Sequence, residues 1–293
     1  MKSKIKEIKN VYNGLQTLYD TYLPKVDSAL IDDLLMRQQK NPKTTPIYMV
    51  EAFAKQGTDS EAKRNHIYEM TGVLPAIYDN GTHYAANHRL TLEMLKEISN
   101  DNDIVEITGE YTGSIGGWGA SHEYRRLAYL ENYSSVSSSA ALLLQNQVQK
   151  KQEKEQIQYE KTEDQLREIR IAYRGLQTLY QTYFPNVDAV LIHDLLMREK
   201  NNSNVAAPFY MVEMFTKAGM DSEIMKGMIF EKTGMVPAIY DRGTHYVTNH
   251  RLSLEMLHEI SDLDYVVEIT GEYTGEITGR GASHEHRDMN DYF

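Results

Sequence analysis

The chain contains the same block of motifs twice, 162 residues apart. The segment YDNGTHY at residues 78–84 recurs as YDRGTHY at residues 240–246, and GEYTG at residues 109–113 recurs unchanged at residues 271–275. Solenoid repeats have periods of roughly 20–50 residues, so a period this long indicates a duplicated domain. Any site formed by one copy is therefore expected twice, or once at a pseudo-two-fold axis.

The duplication predicts three segments in the 293 residues. These are a first repeat at 1–133, a charged linker helix at 134–161 and a second repeat at 162–293, a length that suits two domains. The linker starts serine-rich and becomes rich in Gln, Lys and Glu. We expect a solvated helix that runs into the second repeat. A partner-binding coiled coil is the alternative, although the leucines at 142–144 do not extend into heptads.

Composition excludes several classes of site. The chain has no cysteine, which excludes disulfides and thiolate ligands, and its net charge of −11 works against binding a nucleic-acid backbone. It has neither a membrane-length apolar run nor a signal peptide, so a soluble cytoplasmic protein is expected, with no membrane partner. Tyrosine dominates the aromatics, with 21 Tyr against 6 Phe and 1 Trp, as expected of a polar cavity or an interface.

Each repeat is predicted to be a helical hairpin followed by β-α-β-β-α-β. Asp59 is placed to cap the first helix of that series and Gly72 to end it. Strands are expected at 73–78 and 83–90, joined by the hairpin turn Asp79-Asn80-Gly81, and Thr91 or Leu92 is expected to begin the second helix. This order is typical of the ferredoxin-like arrangement, and the fold class is α+β. If the sheets of the two repeats meet face to face, they form a pseudo-dimeric α/β barrel.

Strand alternation sorts the side chains onto two faces of each sheet. The helix-packed side is predicted to hold Ile47, Met49, Phe53, Val105 and Ile107. The opposite side then carries Tyr48, Tyr84, His88, Glu106, Thr108 and Glu110, with Tyr210, Tyr246, His250, Glu268, Thr270 and Glu272 in the second repeat. A face this rich in Tyr, His and Glu is predicted to bind a ligand, through Tyr48, Tyr84, His88 and Glu110 and their counterparts Tyr210, Tyr246, His250 and Glu272.

Histidines and carboxylates supply candidate metal ligands. His83 and His88 are five residues apart, so on one strand they are expected to point to opposite faces. A loop could bring His122 and Glu123 to one of them, and imidazole with carboxylate suits zinc, iron or manganese. Hydrogen-bonded structural histidines are the alternative. The candidates are His83, His122 and Glu123, with His245, His284 and Glu285 in the second repeat.

Two functional hypotheses follow. The first is a non-enzymatic protein that binds a small polar ligand or a protein partner, or assembles, through the Tyr/His/Glu face. The second is an acid–base or metal-assisted enzyme of hydrolase or lyase type with its site in a cavity between the repeats. Its catalytic candidates are His88, Glu110, His250 and Glu272. No cofactor is expected under the first hypothesis, a transition metal is open under the second, and homo-oligomerisation is open under both.

Overall fold

The computed structural model of the chain describes residues 2–113, 138–201 and 207–275, with side chains in the helix at 138–183 described from residue 160. Over those residues the protein is α+β, with two four-stranded antiparallel sheets and eight α-helices. None of the helices in these ranges combines the length and the apolar character needed to cross a membrane.

The same order of elements occurs in both halves of the chain, which is compatible with a duplicated unit. The first half contains α1 (Lys2–Tyr22), α2 (Ser28–Lys40), β1 (Ile47–Ala54), α3 (Ser60–Thr71), β2 (Ala76–Tyr78), β3 (His83–Arg89), α4 (Leu92–Ser99) and β4 (Ile104–Gly113). The second half contains α5 (Ser138–Tyr183), α6 (Ala189–Asn201), β5 (Phe209–Thr216), α7 (Ser222–Thr233), β6 (Ala238–Tyr240), β7 (His245–Arg251), α8 (Leu254–Ser261) and β8 (Val266–Gly275).

Local sequence signals set the ends of the short helices, as predicted. The Asp59 carboxylate accepts a hydrogen bond from the Ala62 amide at 3.0 Å, and Gly72 ends α3 with a left-handed φ of 72°. Thr91 caps α4 by accepting from the Met94 amide. The second half repeats these caps with Asp221, Gly234 and Ser253.

The hairpin before β3 begins with a shorter strand than predicted. A strand was expected from residue 73, but β2 starts at Ala76 because Pro75 has no N–H to donate to a ladder. The turn itself is a 3-10 turn in which Asp79 and Asn80 have φ values of 49° and 56°. Gly81 follows at φ 92°, where an added Cβ would lie 2.6 Å from the Ser60 Cβ. This turn therefore requires its glycine.

The two sheets have the same strand order. It is β2-β3-β1-β4 in the first and β6-β7-β5-β8 in the second, with every pair antiparallel. The central strand β1 pairs Tyr48 with His88 on one side and with Tyr111 on the other. The connection before α2 adds a parallel bridge from Val26 to Ile107 on β4.

The helices cover one face of each sheet, and this face is not the predicted one. Buried residues on β1 are Tyr48, Val50, Ala52 and Ala54, whereas Met49 is 36% exposed. The assignment of Ile47, Met49 and Phe53 to the helix-packed side was therefore wrong. Helix α2 contributes Leu30 to the covered side, since a Cβ added to Gly109 on β4 would lie 3.5 Å from the Leu30 side chain.

Strand β4 is irregular, which explains why its parity was only partly predicted. A register shift between Phe53 and Ala54 places Ile104 and Ile107 both in the core, three residues apart, and leaves Val105 49% exposed. The prediction was right for Ile107 and wrong for Val105. Glu106 and Glu110 are exposed on the side opposite the helices, as expected.

The chain divides into two compact units. One is the contiguous segment Gly14–Tyr173, and the other combines Met1–Asn13 with Arg174–Phe293. In the contiguous unit, the Tyr22 hydroxyl donates to Glu168 at 2.6 Å. In the discontinuous unit, the Tyr183 hydroxyl donates to Glu7 at 2.9 Å, and Lys9 pairs with Glu199. Helices α1 and α5 therefore each contribute residues to both units.

A charged cluster of the first half is replaced by other side chains at the equivalent positions of the second half. The Lys63 ammonium lies 2.7 Å from a carboxylate oxygen of Asp101 and 2.8 Å from one of Asp103. The Lys63 and Asp101 side chains are only 8% and 5% exposed. The equivalent positions of the second half hold Met225, Leu263 and Tyr265, of which the first two are buried.

Candidate functional site

The residues predicted to form one ligand-binding face are divided between the two faces of each sheet. Tyr48, Tyr84 and His88 are 1%, 1% and 3% exposed and lie on the face that the helices cover. Tyr210, Tyr246 and His250 are buried in the same way. Glu110 and Glu272 are exposed on the other face. The Tyr/His/Glu face predicted from strand alternation is therefore not present as one surface.

The buried tyrosines have structural hydrogen-bond partners. The Tyr84 hydroxyl donates to the Gly81 carbonyl at 2.7 Å, which ties β3 to its turn, and Tyr246 does the same to Gly243. The Tyr48 hydroxyl donates to the Asp33 carboxylate at 2.6 Å. Burial, followed by the negative charge of Asp33, raises the pKa of Tyr48, so Tyr48 stays protonated and serves as a donor.

An unpredicted network surrounds Tyr48. Arg37 donates to Asp33 at 2.9 Å, and its guanidinium lies 3.3 Å from the centroid of the Tyr111 ring. The Tyr48 and Tyr111 rings meet edge to face at 5.6 Å. The second half reproduces the arrangement with Asp194, Arg198, Tyr210 and Tyr273. The missed signal was an Asp and an Arg four residues apart in α2 and again in α6.

The buried histidines on β3 and β7 are neutral. Burial lowers the pKa of His88 and that of His250 to about 4. Within the described residues, neither ring nitrogen of His250 has a hydrogen-bond partner, and the Nδ1 of His88 has none. These rings therefore act as packed core groups at neutral pH.

His83 lies on the face opposite His88, as predicted, and it is the centre of the most distinctive cluster on that face. Its ring stacks on Phe53 at 4.5 Å with an interplanar angle of 14°, and the Tyr78 ring lies 5.3 Å away. Glu51 lies 3.6 Å from Nε2 and Asp79 lies 3.4 Å from Nδ1. One carboxylate thus flanks each ring nitrogen.

The second sheet builds the same cluster around His245. Phe215 stacks on this ring at 4.5 Å and 13°, and Tyr240 lies 5.4 Å away. Glu213 and Asp241 lie 3.8 Å and 3.5 Å from the two ring nitrogens. We call each of these arrangements the aromatic–histidine cluster. The recurrence of YD-x-GTHY contained half of it, but the contribution of β1 required the strand register.

The described residues form no metal site. In the described part of the chain, no three His, Cys, Asp or Glu side chains converge closely enough to hold a metal ion. The carboxylates beside His83 flank opposite ring nitrogens instead of sharing one point. The predicted ligands His122, Glu123, His284 and Glu285 lie outside the described residues.

Among the residues that the structure describes, no helix covers the face that carries the aromatic–histidine cluster, and we call this face the open face. On the first sheet, strands β2, β3 and β4 contribute exposed polar and aromatic side chains, among them Tyr78, Asn87, Arg89, Glu106 and Glu110. Tyr78 is 52% exposed and its counterpart Tyr240 is 53% exposed. The open face thus has a half-buried aromatic centre with a charged and polar border.

Comparisons of the chain with protein-family models, with curated protein sequences and with solved structures found no match.

Proposed function

We propose that this chain is a non-enzymatic binding or assembly protein that acts through the open faces of its two sheets. The observation that carries the proposal is the aromatic–histidine cluster, which recurs in both sheets with the same residue types. The ring stacking distance is 4.5 Å at both His83 and His245. Of the residues first predicted to bind, Glu110 and Glu272 remain part of this surface.

The shape and chemistry of the open face favour a protein partner over a small ligand. Small-molecule sites are concave and enclose most of the ligand, whereas one face of an antiparallel sheet is extended and nearly flat. Interfaces between proteins concentrate aromatic side chains at the centre and polar groups at the rim. Phe53 and Tyr78 supply the aromatic part, and Glu106, Glu110 and Arg89 supply the rim.

We also propose that each repeat is a ferredoxin-like unit. The support is the strand order β2-β3-β1-β4 with antiparallel pairing, and the position of α3 and α4 after the first and third strands. A four-stranded sheet covered on one face by helices leaves the other face free to bind. The pseudo-dimeric barrel, in which the open faces of the two repeats would meet, stays a prediction, as does a cytoplasmic location.

Carboxyl footprinting tests the proposed function. A carbodiimide with glycine ethyl ester labels exposed carboxylates, and mass spectrometry then reports the labelling of each peptide. In concentrated extract of the source cells, we expect at least threefold less labelling of Glu106, Glu110, Glu268 and Glu272 than in dilute purified protein. Glu61 and Glu69 on α3 are exposed away from the open face and serve as matched controls. Equal labelling of the open face in the two samples would contradict the proposal.

The enzyme hypothesis has less support. His88 and Glu110, its named acid–base pair in the first repeat, lie on opposite faces of one sheet, so they do not converge on a substrate. Elemental analysis of protein purified without chelator tests the metal-assisted form. A stoichiometric transition metal, lost in a His83→Ala/His245→Ala variant, would make the enzyme hypothesis the better one.

A further inference from the structure

The open face has two rims of opposite hydrogen-bonding character. The acceptor rim is formed by Glu106 and Glu110 on the edge strand β4. The donor rim lies on β2 and β3 and is formed by Tyr78, Asn87 and Arg89. All five side chains are exposed. The second sheet has the same rims, with Glu268 and Glu272 on β8 and with Tyr240, Asn249 and Arg251 on β6 and β7.

Strand register places the two rims at matching heights along the sheet. Met49 on the central strand pairs with Glu110 on one side and with Asn87 on the other. Arg89 lies two residues beyond Asn87, at the next position on the same face. Phe53 pairs with Glu106 and with His83, which in turn pairs with Tyr78. Each glutamate therefore faces, across the sheet, a donor at about its own level.

This pattern is self-complementary under one of the two simple two-fold arrangements. If two such sheets pack face to face about an axis parallel to their strands, the acceptor rim of each lies over the donor rim of the other. An in-plane axis perpendicular to the strands would instead place glutamate over glutamate, which costs binding energy because like charges repel. Both arrangements keep the strands of the two sheets aligned, as face-to-face packing of sheets requires, so the charges decide between them.

We propose that the open face pairs with the open face of a second copy of this chain, with strands aligned and with the acceptor rim of each face over the donor rim of the other. The inference rests on the proposed function and names its partner. Met49 and Phe53, with Met211 and Phe215 in the second sheet, form the apolar centre of the contact. A two-fold pairing is the commonest symmetry of protein homo-oligomers.

The size of the face predicts a weak contact. Four strands span about 19 Å, and seven residues of strand span about 23 Å. One pair of faces thus covers roughly 450 Å² on each partner, below the standard interface of about 800 Å² for each partner. Because the net charge of −11 opposes self-association, the pairing is expected at micromolar or higher concentrations and at about 0.15 M salt, where the Debye length is about 8 Å.

Sedimentation equilibrium of the purified full chain across a hundredfold concentration range tests the pairing. We expect the mean mass of the wild type to rise with concentration. Two charge-reversal variants are compared with it, Glu110→Lys/Glu272→Lys and Arg89→Glu/Arg251→Glu. Each alone places like charges at both contacts of the two-fold pair, so we expect at least tenfold weaker self-association. An equimolar mixture of the two restores opposite charges at both contacts, and we expect association at the wild-type level or above.

The same samples separate failure of this inference from failure of the proposed function. A wild type that stays monomeric at every concentration overturns the second-copy partner, and so does a mixture that associates no better than its components. If the open face is nevertheless protected in extract, the proposed function stands with a different partner. The substituted positions are exposed, and circular dichroism checks that both variants remain folded. A Glu61→Lys/Glu223→Lys control, on the outer helices α3 and α7, should associate like the wild type.

Discussion

The two halves of the chain fill the same packed positions with different kinds of side chain, charged in the first half and apolar in the second. At the contact between α3 and the end of α4, the first half buries Lys63 against Asp101, with Asp103 as a second partner. The second half places Met225 and Leu263 at the same positions, and both are buried. The backbone is the same at this point, since the Lys55 amide donates to the Asp103 carbonyl and the Lys217 amide donates to the Tyr265 carbonyl.

The contrast indicates that this fold needs volume at these positions but not charge. A buried ion pair offsets the cost of desolvating its charges by their mutual attraction and by hydrogen bonds, whereas apolar side chains carry no such cost. The two halves are therefore expected to have similar stability from this contact and very different sensitivity to its disruption.

Lys63→Met alone should destabilise the first half strongly. It leaves Asp101 buried without its cation, and the expected loss in the free energy of unfolding is about 3–5 kcal/mol. Urea denaturation measures the loss, and hydrogen exchange should locate it in residues 14–173. The matched control is Met225→Lys. It buries an ammonium beside Leu263, which stands in place of the carboxylate, and it should destabilise the other unit. A loss below about 1 kcal/mol for Lys63→Met would contradict the comparison.

On acidification, the two halves should first lose stability to the same extent, because each buries a histidine at the equivalent position of its sheet. The pKa of His88 and of His250 falls from 6.5 to about 4 on folding because the rings are buried. The unfolded chain then binds protons more readily between these values, so stability is full above pH 6.5 and falls as the pH drops to about 4. The loss is about 3 kcal/mol for each histidine. Urea unfolding at a series of pH values measures it, and His88→Gln with His250→Gln should flatten the dependence.

Below about pH 4 the first half should lose stability that the second half keeps. Burial alone would raise the pKa of Asp101, but hydrogen bonds from Lys63 and from the Asp103 amide outweigh it and lower that pKa. The stabilisation is present above the unfolded pKa of Asp and is lost as the pH falls through the folded value. Only the first half carries this group. Equal loss in both halves below pH 4 would show that the ion pair does not stabilise the fold.

Tyr48→Phe and Tyr210→Phe probe a place where the halves agree. Each removes a buried hydroxyl that donates to a carboxylate, at 2.6 Å and 2.5 Å. The expected loss is about 1.5–2 kcal/mol for each, as is typical of hydrogen bonds to charged groups. Because both networks have the same members, the two losses should agree within about 0.5 kcal/mol in urea denaturation. A difference of 1 kcal/mol or more would mean that the networks are not equivalent.

The smallest effect is expected from replacing the whole charged cluster. The triple variant Lys63→Met/Asp101→Leu/Asp103→Tyr transplants the side chains of the second half into the first. Its stability should lie within about 1 kcal/mol of the wild type, or above it, because no buried charge is left unpaired. Urea denaturation beside the Lys63→Met single variant is the measurement. A triple variant as unstable as the single one would mean that the first half requires the charges themselves.

Sequence reasoning succeeded where one residue decides the local structure. Asp59 and Thr91 cap the starts of their helices and Gly72 ends α3, as predicted, since a cap depends on one side chain or one φ angle. It failed on the sheet faces because β1 carries apolar side chains on both. The prediction placed Tyr48 on a polar face, but its hydroxyl donates to Asp33, which lies fifteen residues earlier in the chain and on another element.

The candidate site shows the same division. That His83 and His88 point to opposite faces followed from strand alternation alone. The partners of His83 did not, because Phe53 and Glu51 reach it across the strand ladder, and a register cannot be read from one strand. The register shift near Ala54 likewise moves Val105 out of the core, and no residue type marks it in the sequence.

The chain segments that make up the two compact units determine which unit can fold first during synthesis. Residues 14–173 are contiguous, so that unit has all of its parts once residue 173 has left the ribosome. The other unit joins residues 1–13 to residues 174–293, and contacts such as that of Tyr183 with Glu7 span 176 residues. Ile5 and Ile8 in the first turns of α1 are buried in the folded protein, and they therefore stay exposed until the later residues of their own unit have been made. A chaperone that holds nascent chains would find its target in this segment of α1.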